Sequence, residues 1–398
     1  MISEQMNSYL ERSSWIRKMF EEGLKLKKIH GPDKVFDLSL GNPDLSPPLE
    51  VKHALAEIIA NYKPELHRYM PNAGFPEVRE TMAKKVSLEQ GVSISSNEVI
   101  MTCGAAGGLN IIFKSILNPG EEVIFPSPFF VEYFFYVENH QGRPVVVPTK
   151  ADFKLDIEAF AQAITKKTKA VLINSPHNPT GQIYSEDEIR SLSQLLREKS
   201  AAYGRPIYLI SDEPYRNLVF DGASVPSVFK HYEYSLIAYS FSKELSLAGE
   251  RIGFVAIHPD LEGKDKLMDA LVLANRILGF VNAPALAQRI VATCATAKVE
   301  VEIYQRRRDL LCALLDEAGI NYVKPKGSFF IFPQSPVDDV DFCELLKDEL
   351  ILAVPGRGFG VPNHIRLAFC VPEEVFQKMK PNFLRACEKA KKRCSAFE

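Results

Sequence analysis

Between residues 51 and 284, short apolar runs rich in β-branched residues alternate with longer stretches that have apolar residues at helical spacing. The runs with the length of buried strands are residues 99–102, 122–125, 170–174, 207–210, 236–239 and 254–257. Continuous apolar runs indicate strands that are buried on both faces, and their alternation with helices is typical of parallel sheets. The pattern predicts an α/β fold in which helices cover both faces of a mostly parallel sheet.

The pattern changes near residue 285. Residues 285–318 have the spacing of one long helix, and the chain beyond them mixes strand-like runs (329–332, 364–369) with helical stretches (342–350, 373–391). Residues 14–29 also have helical spacing and end before the helix breakers Gly31 and Pro32. We therefore predict a large α/β domain at residues 46–290 and a smaller α+β domain formed by residues 1–45 and 291–398.

Composition narrows the possible partners. The apolar fraction of 46%, the charged fraction of 25% and the net charge of −2 are those of an ordinary globular protein, with no reason to expect nucleic acid or a membrane as partner. The 7 cysteines form no CxxC pair and the histidines no HExxH string, so we expect neither a disulfide framework nor a metal site. The first residues include Glu4 and lack the apolar core of a signal peptide, which predicts a cytoplasmic location.

Lys243 follows the predicted strand 236–239 in the string Ser240-Phe241-Ser242-Lys243, and Arg251 comes shortly after it. A lysine amine can form a Schiff base with an aldehyde, and hydroxyls with a nearby guanidinium can hold a phosphate. An aldehyde and a phosphate on one small molecule describe pyridoxal phosphate. On this spacing alone, a lysine on a solvated loop is the alternative.

The ends of the other predicted strands have groups that suit the same molecule, and ligands of open α/β sheets bind at those ends. Gly104-Ala105-Ala106 opens a helix whose N-terminus can approach a phosphate, and Phe130 offers an aromatic ring. Asn178 lies in a loop with two prolines, and Asp212 needs a positive partner such as a protonated pyridine nitrogen. No GxGxxG string occurs, which disfavours a dinucleotide and a nucleotide-dependent oxidoreductase. Together these strand ends predict a site for pyridoxal phosphate.

With these motifs, the chain resembles the class I aminotransferases of the fold-type I pyridoxal-phosphate superfamily, from residue 41 to residue 366. The resemblance is strongest in residues 174–181 (NSPHNPTG), 212–215 (DEPY) and 240–253 (SFSKELSLAGERIG). It implies a fold-type I transferase fold, pyridoxal 5'-phosphate as cofactor and a homodimer with shared active sites.

The resemblance also implies individual roles. Lys243 holds the cofactor as a Schiff base and then acts as general acid and base, Asp212 pairs with the pyridinium nitrogen, and Tyr215 and Asn178 bind the ring oxygen. The further cofactor contacts that it implies are Gly104, Ala105, Ala106, Ser240, Ser242 and Arg251 around the phosphate, Phe130 against the ring, and Tyr69 at the phosphate of the neighbouring subunit. For the substrate it implies Gly41, Asn178 and Arg366, with Arg366 binding the α-carboxylate.

The implied reaction is ping-pong transamination between an amino acid and a 2-oxo acid, and family frequency makes aspartate with 2-oxoglutarate the first expectation. The alternatives are alanine or another neutral or aromatic amino acid, since Ile277 and Ala106 occupy positions where related aspartate enzymes have a cation. Arg276 is one residue away from the first of these positions. A lyase or decarboxylase of the same fold also stays open. A non-enzymatic regulator is disfavoured, because the segment before the first motif is short for a DNA-binding module.

Overall fold

The structure, a computed structural model, describes residues 2–12 and 15–395. Its strands are β1 (Phe36–Asp37), β2 (Val99–Thr102), β3 (Glu122–Ser127), β4 (Arg143–Pro148), β5 (Thr168–Asn174), β6 (Tyr208–Asp212), β7 (Ser235–Ser240), β8 (Gly253–Ile257), β9 (Phe330–Ile331), β10 (Ile351–Leu352), β11 (Val354–Pro355) and β12 (Ile365–Ala368). Its helices are α1 (Glu4–Arg12), α2 (Trp15–His30), α3 (Leu49–Ala60), α4 (Pro76–Gln90), α5 (Gly104–Ile116), α6 (Glu132–Glu138), α7 (Ile157–Ala163), α8 (Glu186–Tyr203), α9 (Phe241–Glu244), α10 (Lys264–Ile277), α11 (Ala285–Thr293), α12 (Val301–Ala318), α13 (Asp339–Asp348) and α14 (Glu373–Ser395). Of the helix predicted at residues 14–29, residue 14 lies outside the described residues.

The central sheet has the strand order β2-β8-β7-β6-β5-β3-β4. Strand β8 runs antiparallel to both of its neighbours, and the other neighbouring pairs are parallel. The predicted α/β fold with a mostly parallel sheet is confirmed. Because β8 is reversed, its first residue lies at the edge of the sheet where the parallel strands end.

Both faces of the sheet are buried. In β5, Val171 and Ile173 pack into one apolar cluster, while Ala170 and Leu172 pack into another on the opposite face. Successive side chains of a strand point to opposite faces, so an unbroken apolar run is what a sheet covered on both sides requires.

Two sequence predictions need correction. Strand β4 was missing from the predicted strands: it contains Pro144 and Pro148, and it lies at the edge of the sheet, where proline is tolerated. The single helix predicted at residues 285–318 is two helices, α11 and α12. The connection between them binds the rest of the molecule instead of continuing the helix: the carbonyl of Ala295 accepts from Lys85, and the amide of Val299 donates to the carbonyl of Glu244.

The N-terminal segment packs with the C-terminal part of the chain. Strand β1 pairs in parallel with β10, with Phe36 opposite Ile351, and β9, β11 and β12 form a separate small sheet. Phe36 and Leu38 belong to an apolar cluster whose members come mostly from residues 299–390. The division into residues 46–290 and residues 1–45 with 291–398 stays a prediction. No helix within residues 2–12 and 15–395 combines the length and apolarity needed to span a bilayer.

Candidate active site

A cavity lies at the carboxyl ends of the parallel strands. Most of the side chains predicted for the site line it: Gly41, Ala105, Ala106, Phe130, Asn178, Asp212, Tyr215, Ser240, Ser242, Lys243, Arg251 and Arg366. They come from segments up to 325 residues apart in the chain, and the topology of the sheet brings them to one edge. Most of the residues predicted for the site from the sequence therefore meet in the same cavity.

Lys243 is placed by the start of α9, directly after β7. Ser240 caps this helix, because its hydroxyl accepts from the amide of Ser242 at 3.2 Å. The Lys243 amine donates to the carbonyl of Gly41 at 2.7 Å. Burial lowers the pKa of Lys243 to about 8, against a weaker raising effect of Cys370. A larger fraction of the amine is therefore neutral and nucleophilic near neutral pH than for a solvated lysine.

Asp212 ends β6 and has an unsatisfied oxygen. Its Oδ2 accepts from the hydroxyl of Tyr133 at 2.6 Å, whereas its buried Oδ1 has no hydrogen-bond partner among the described residues. Burial raises the pKa of Asp212 to about 7, although the Tyr133 hydrogen bond acts in the opposite direction. A buried carboxylate with an unpaired oxygen is suited to an N–H donor of positive charge, as a pyridinium nitrogen would be.

The reversed strand β8 brings the predicted phosphate-binding groups together. Its first residue, Gly253, pairs with Thr102 on one side and with Ser240 on the other. A Cβ on Gly253 would lie 2.1 Å from the carbonyl oxygen of Tyr239, so only glycine fits between these strands. The loop after β2, the hydroxyl of Ser240 and the residues before β8 therefore meet at one point.

Gly104 and Arg251 face each other at that point. Gly104 opens α5 with a φ of +69°, and a Cβ on it would lie 3.1 Å from a terminal nitrogen of Arg251. A helix N-terminus, a guanidinium and two serine hydroxyls form a set of donors that suits a phosphate. With the unpaired oxygen of Asp212 and the amine of Lys243, the residues present fit pyridoxal phosphate.

Arg366 in β12 is buried and forms another wall of the cavity. Its guanidinium donates to the side-chain oxygen of Asn178 at 3.1 Å and to the carbonyl of Ser39 at 2.6 Å, and it lies over the ring of Phe330. Burial lowers its pKa to about 10, which still leaves the group charged at neutral pH. The remaining donor capacity, including a buried Nε without a partner among the described residues, suits a carboxylate.

The structure fixes the neighbours of Arg366 as well. The backbone N–H of Asn178 donates to the side-chain oxygen of Asn174 at 2.7 Å. The side-chain nitrogen of Asn174 in turn donates to the backbone carbonyl of Asp212 at 2.8 Å. The ring of Tyr215 packs edge-on against Phe330, and burial raises its pKa well above its usual range, so its hydroxyl keeps its proton. Both Asn178 and Tyr215 can therefore serve as fixed hydrogen-bonding groups.

Tyr69, Arg276 and Ile277 do not belong to the cavity lining of their own chain. Tyr69 is 90% exposed, and Arg276 and Ile277 are exposed at the end of α10. Gly104 borders the cavity through its contact with Arg251 rather than lining it. A role for Tyr69 at a neighbouring subunit stays a prediction.

Sequence reasoning missed Tyr133, which lines the cavity and holds Asp212. A signal was present, because Tyr133 lies in the first turn of α6, which begins two residues after Phe130. Tyr136 lines the cavity one further turn along α6.

Comparison with known proteins agrees with this geometry. The family model for "Aminotransferase class I and II" matches residues 33–379. The chain belongs to this family. Its members of the aspartate aminotransferase type use pyridoxal phosphate, so the protein is a pyridoxal-phosphate-dependent aminotransferase that acts on amino acids and 2-oxo acids.

Similar proteins cover almost all of this aminotransferase. The aspartate/prephenate aminotransferase of Thermus thermophilus is 33% identical over 366 residues, which are 89% of this chain and 91% of that protein. The structure of an aminotransferase from Eubacterium rectale has a TM-score of 0.94 at 38% identity and covers 98% of this chain and 99% of its own. The Thermus thermophilus aspartate aminotransferase with maleate has a TM-score of 0.85 at 30% identity, with 94% and 96% covered.

Proposed function

We propose that this aminotransferase transfers the amino group of aspartate to 2-oxoglutarate, with Lys243 as the residue that binds the cofactor and moves the proton. The observation that supports these roles is the arrangement of three groups in one cavity: the Lys243 amine, the unpaired oxygen of Asp212 and the buried guanidinium of Arg366. The names of the relatives support aspartate as the amino donor.

In this proposal, the role of each residue follows from its functional group. Pyridoxal phosphate, when bound, supplies an electron-withdrawing ring that weakens the bond between the amino acid's Cα and its hydrogen. Asp212 keeps a proton on the ring nitrogen, and Lys243, whose pKa of about 8 is close to neutral pH, takes up and returns the proton of Cα. Arg366 binds the α-carboxylate and thereby orients Cα toward Lys243.

The other predicted contacts hold the cofactor in place. In this proposal Tyr215 and Asn178 donate to the ring oxygen, Phe130 packs against the ring, and Gly41 borders the substrate. The phosphate is bound by Gly104, Ala105, Ala106, Ser240, Ser242 and Arg251. Within the described residues, no group of three or more His, Cys, Asp and Glu side chains is arranged to hold a metal ion.

Replacing the lysine tests the assignment. We expect Lys243→Ala to lose turnover and the visible absorbance of the bound cofactor, because no other amine lines the cavity among the described residues. Lys169→Ala is the matched control, since Lys169 lies over the Tyr208 ring outside the cavity. Retained transamination with an unchanged spectrum in Lys243→Ala would refute the role of Lys243.

A neutral or aromatic amino donor is the second candidate, and the walls of the cavity favour it. Among the described residues, the cations that line the cavity are Lys243, Arg251 and Arg366, each of which already has a role in the proposal. Phe130, Tyr136 and other apolar or aromatic side chains form much of the remaining wall. Transamination of aspartate, alanine and phenylalanine with 2-oxoglutarate distinguishes the candidates, and a kcat/KM for aspartate below that for the neutral donors would refute the first.

We also propose a cytoplasmic homodimer in which each active site uses Tyr69 of the other subunit. Tyr69, Leu273 and Ile277 are large side chains left 90%, 52% and 56% exposed, and a subunit interface would cover such side chains. The side-chain nitrogen of Asn72 donates to the backbone carbonyl of Val281 at 2.9 Å. The segment that contains Tyr69 and Asn72 therefore lies next to the segment that follows α10.

Mixing two defective variants tests the shared site. Tyr69→Ala and Lys243→Ala should each have low activity, whereas mixed dimers contain one site with both wild-type residues. Random reassembly of equal amounts then restores roughly a quarter of the wild-type activity. Dimers that form but restore no activity would refute the shared site, and a monomeric wild-type protein in analytical ultracentrifugation would refute the dimer.

A further inference from the structure

Two residues of the active site are each followed in the chain by a buried carboxylate. Glu213 comes directly after Asp212 and is 1% exposed, and Glu244 comes directly after Lys243 and is 2% exposed. Neither lines the cofactor cavity. A buried carboxylate is strongly destabilising unless it has charged or hydrogen-bonding partners, so the partners of these two residues indicate what the residues do.

Glu213 is paired with Arg216. The guanidinium donates to a carboxylate oxygen of Glu213 at 2.8 Å, and the hydroxyl of Ser211 donates to the other oxygen at 2.7 Å. Arg216 also donates to the backbone carbonyl of Glu89 in α4 at 2.9 Å. The residue after Asp212 is therefore attached to helix α4.

Glu244 is attached to the same helix. The amine of Lys85 in α4 lies 3.4 Å from one of its carboxylate oxygens, and the side chain of Asn217 donates to the other. Lys85 and the carboxylate of Glu244 are both nearly inaccessible, with side chains 10% and 3% exposed. The residue after Lys243 thus reaches α4 through an ion pair that water hardly screens.

Glu89 contacts both cations, Lys85 and Arg216, that pair with Glu244 and Glu213. Its carboxylate lies 3.1 Å from the Lys85 amine and 3.6 Å from the Arg216 guanidinium, and it accepts from Asn217 at 3.1 Å. We call Lys85, Glu89, Glu213, Arg216 and Glu244 the α4 charge cluster. It contains three carboxylates and two cations, so its formal charge is −1.

We propose that the α4 charge cluster positions Asp212 and Lys243 relative to each other, and that its excess negative charge favours the protonated form of the Lys243 nitrogen. This inference rests on the roles proposed above for Lys243 and Asp212. None of the cluster residues lines the cavity, whereas Arg251, Arg366, Asp212 and Tyr215 do; of the groups near Lys243, Arg251 and Arg366 lower its pKa and Cys370 raises it. Glu89 is a positioning residue here, because it reaches the site only through its neighbours.

The visible absorbance of the resting holoenzyme measures the charge effect, because it changes when the cofactor-bound nitrogen of Lys243 loses its proton. Glu89→Gln removes one negative charge and should lower the pKa of that titration by a fraction of a pH unit, because a nearby negative charge favours the protonated form of an amine nitrogen. Lys85→Met removes one positive charge and should raise it by a similar amount. Opposite shifts cannot come from a general loosening of the fold.

Two further variants separate charge from geometry. Glu89→Asp keeps the charge, so its titration should stay close to wild type even where kcat falls. Glu80→Gln makes the same chemical change as Glu89→Gln on the exposed side of α4, where Glu80 pairs with Lys84, and should shift nothing. For Glu89→Gln we expect kcat to fall about ten-fold or less while KM for the 2-oxo acid changes less than kcat.

If Glu89→Gln and Lys85→Met titrate like wild type, or shift in the same direction, the cluster only supports the fold and the inference is wrong, even where thermal unfolding shows both to be destabilised. Should Glu89→Gln not fold, the sign of the Lys85→Met shift still decides. Failure of the proposed function is distinct, since the wild-type holoenzyme would then have no visible absorbance that depends on Lys243.

Discussion

Tyr133→Phe removes the only hydrogen bond that the described residues make to the carboxylate of Asp212. The rest of the tyrosine is unchanged, because its ring packs edge-on against Phe125 and Phe130. A hydrogen bond to a charged group contributes about 1.5–3 kcal/mol, so its loss should raise the pKa of Asp212 by roughly one to two pH units. The starting value is about 7, where burial raises the pKa and Tyr133 lowers it.

The consequence is weaker cofactor binding with a particular pH dependence. Asp212 must be ionised to pair with the pyridinium, and near pH 7.5 the empty site of the variant would be mostly protonated. A rise of about 1.5 pH units then weakens cofactor binding roughly ten-fold at pH 7.5 and has almost no effect above about pH 9.5, where the carboxylate is ionised in both proteins.

Equilibrium dialysis of pyridoxal phosphate against the cofactor-free proteins at both pH values measures this ratio. The matched control is Tyr184→Phe, which removes a buried hydroxyl that has no hydrogen-bond partner among the described residues. Equal affinities at pH 7.5, or a loss of the same size at both pH values, would refute the role given to Tyr133.

Three other substitutions test other parts of the site. Arg366→Lys should raise the KM of both substrates roughly 10- to 100-fold in steady-state kinetics, because an ammonium cannot bind a carboxylate while also reaching Asn178 and Ser39. Lys243→Met should stabilise the cofactor-free protein by about 3 kcal/mol at pH 7, since burial lowers the pKa of the amine from 10.5 to about 8. That gain should disappear as the pH rises from about 8 to about 10.5, because only the native state loses its proton there; thermal unfolding at pH 7 and 9.5 measures it. Gly253→Ala should abolish cofactor binding in absorbance titrations, because its Cβ would lie 2.1 Å from the Tyr239 carbonyl oxygen.

Each of these has an outcome that would contradict it. For Arg366→Lys it is a KM close to wild type, and for Lys243→Met it is a melting temperature equal to that of wild type at pH 7. For Gly253→Ala the control is Gly249→Ala, where a Cβ meets no atom within 4 Å. Similar cofactor affinities in the two glycine variants would show that the close approach at Gly253 is not needed.

The sequence was sufficient to predict the groups that directly follow strands. Lys243, Asp212 and Asn178 could be found because a polar or charged residue after an apolar run lies at a known edge of a parallel sheet. The fold class followed from the same alternation. These inferences need only local patterns and one rule of topology.

Features that depend on packing between distant segments could not be predicted in this way. The bond between Tyr133 and Asp212 joins residues 79 positions apart, and the bond between Asn217 and Glu89 joins residues 128 positions apart. The end of α11 is also decided by distant groups, because Lys85 binds the carbonyl of Ala295 where the apolar pattern would continue the helix. Strand β4 was missed because its prolines are compatible with a strand only at an edge, and the position of a strand in the sheet is a tertiary property.

The pairing of β1 with β10 has a consequence for the order in which the enzyme forms during synthesis. Phe36 leaves the ribosome early, but its partner Ile351 follows only after most of the chain has been made, roughly 15–60 s later at ordinary translation rates. All strands of the central sheet lie within residues 99–257 and are available sooner. The loops that carry Lys243 and Asp212 therefore exist before Arg366 is translated. A chain that stops short of residue 366 would retain these cofactor-binding loops and lack the arginine that binds the substrate.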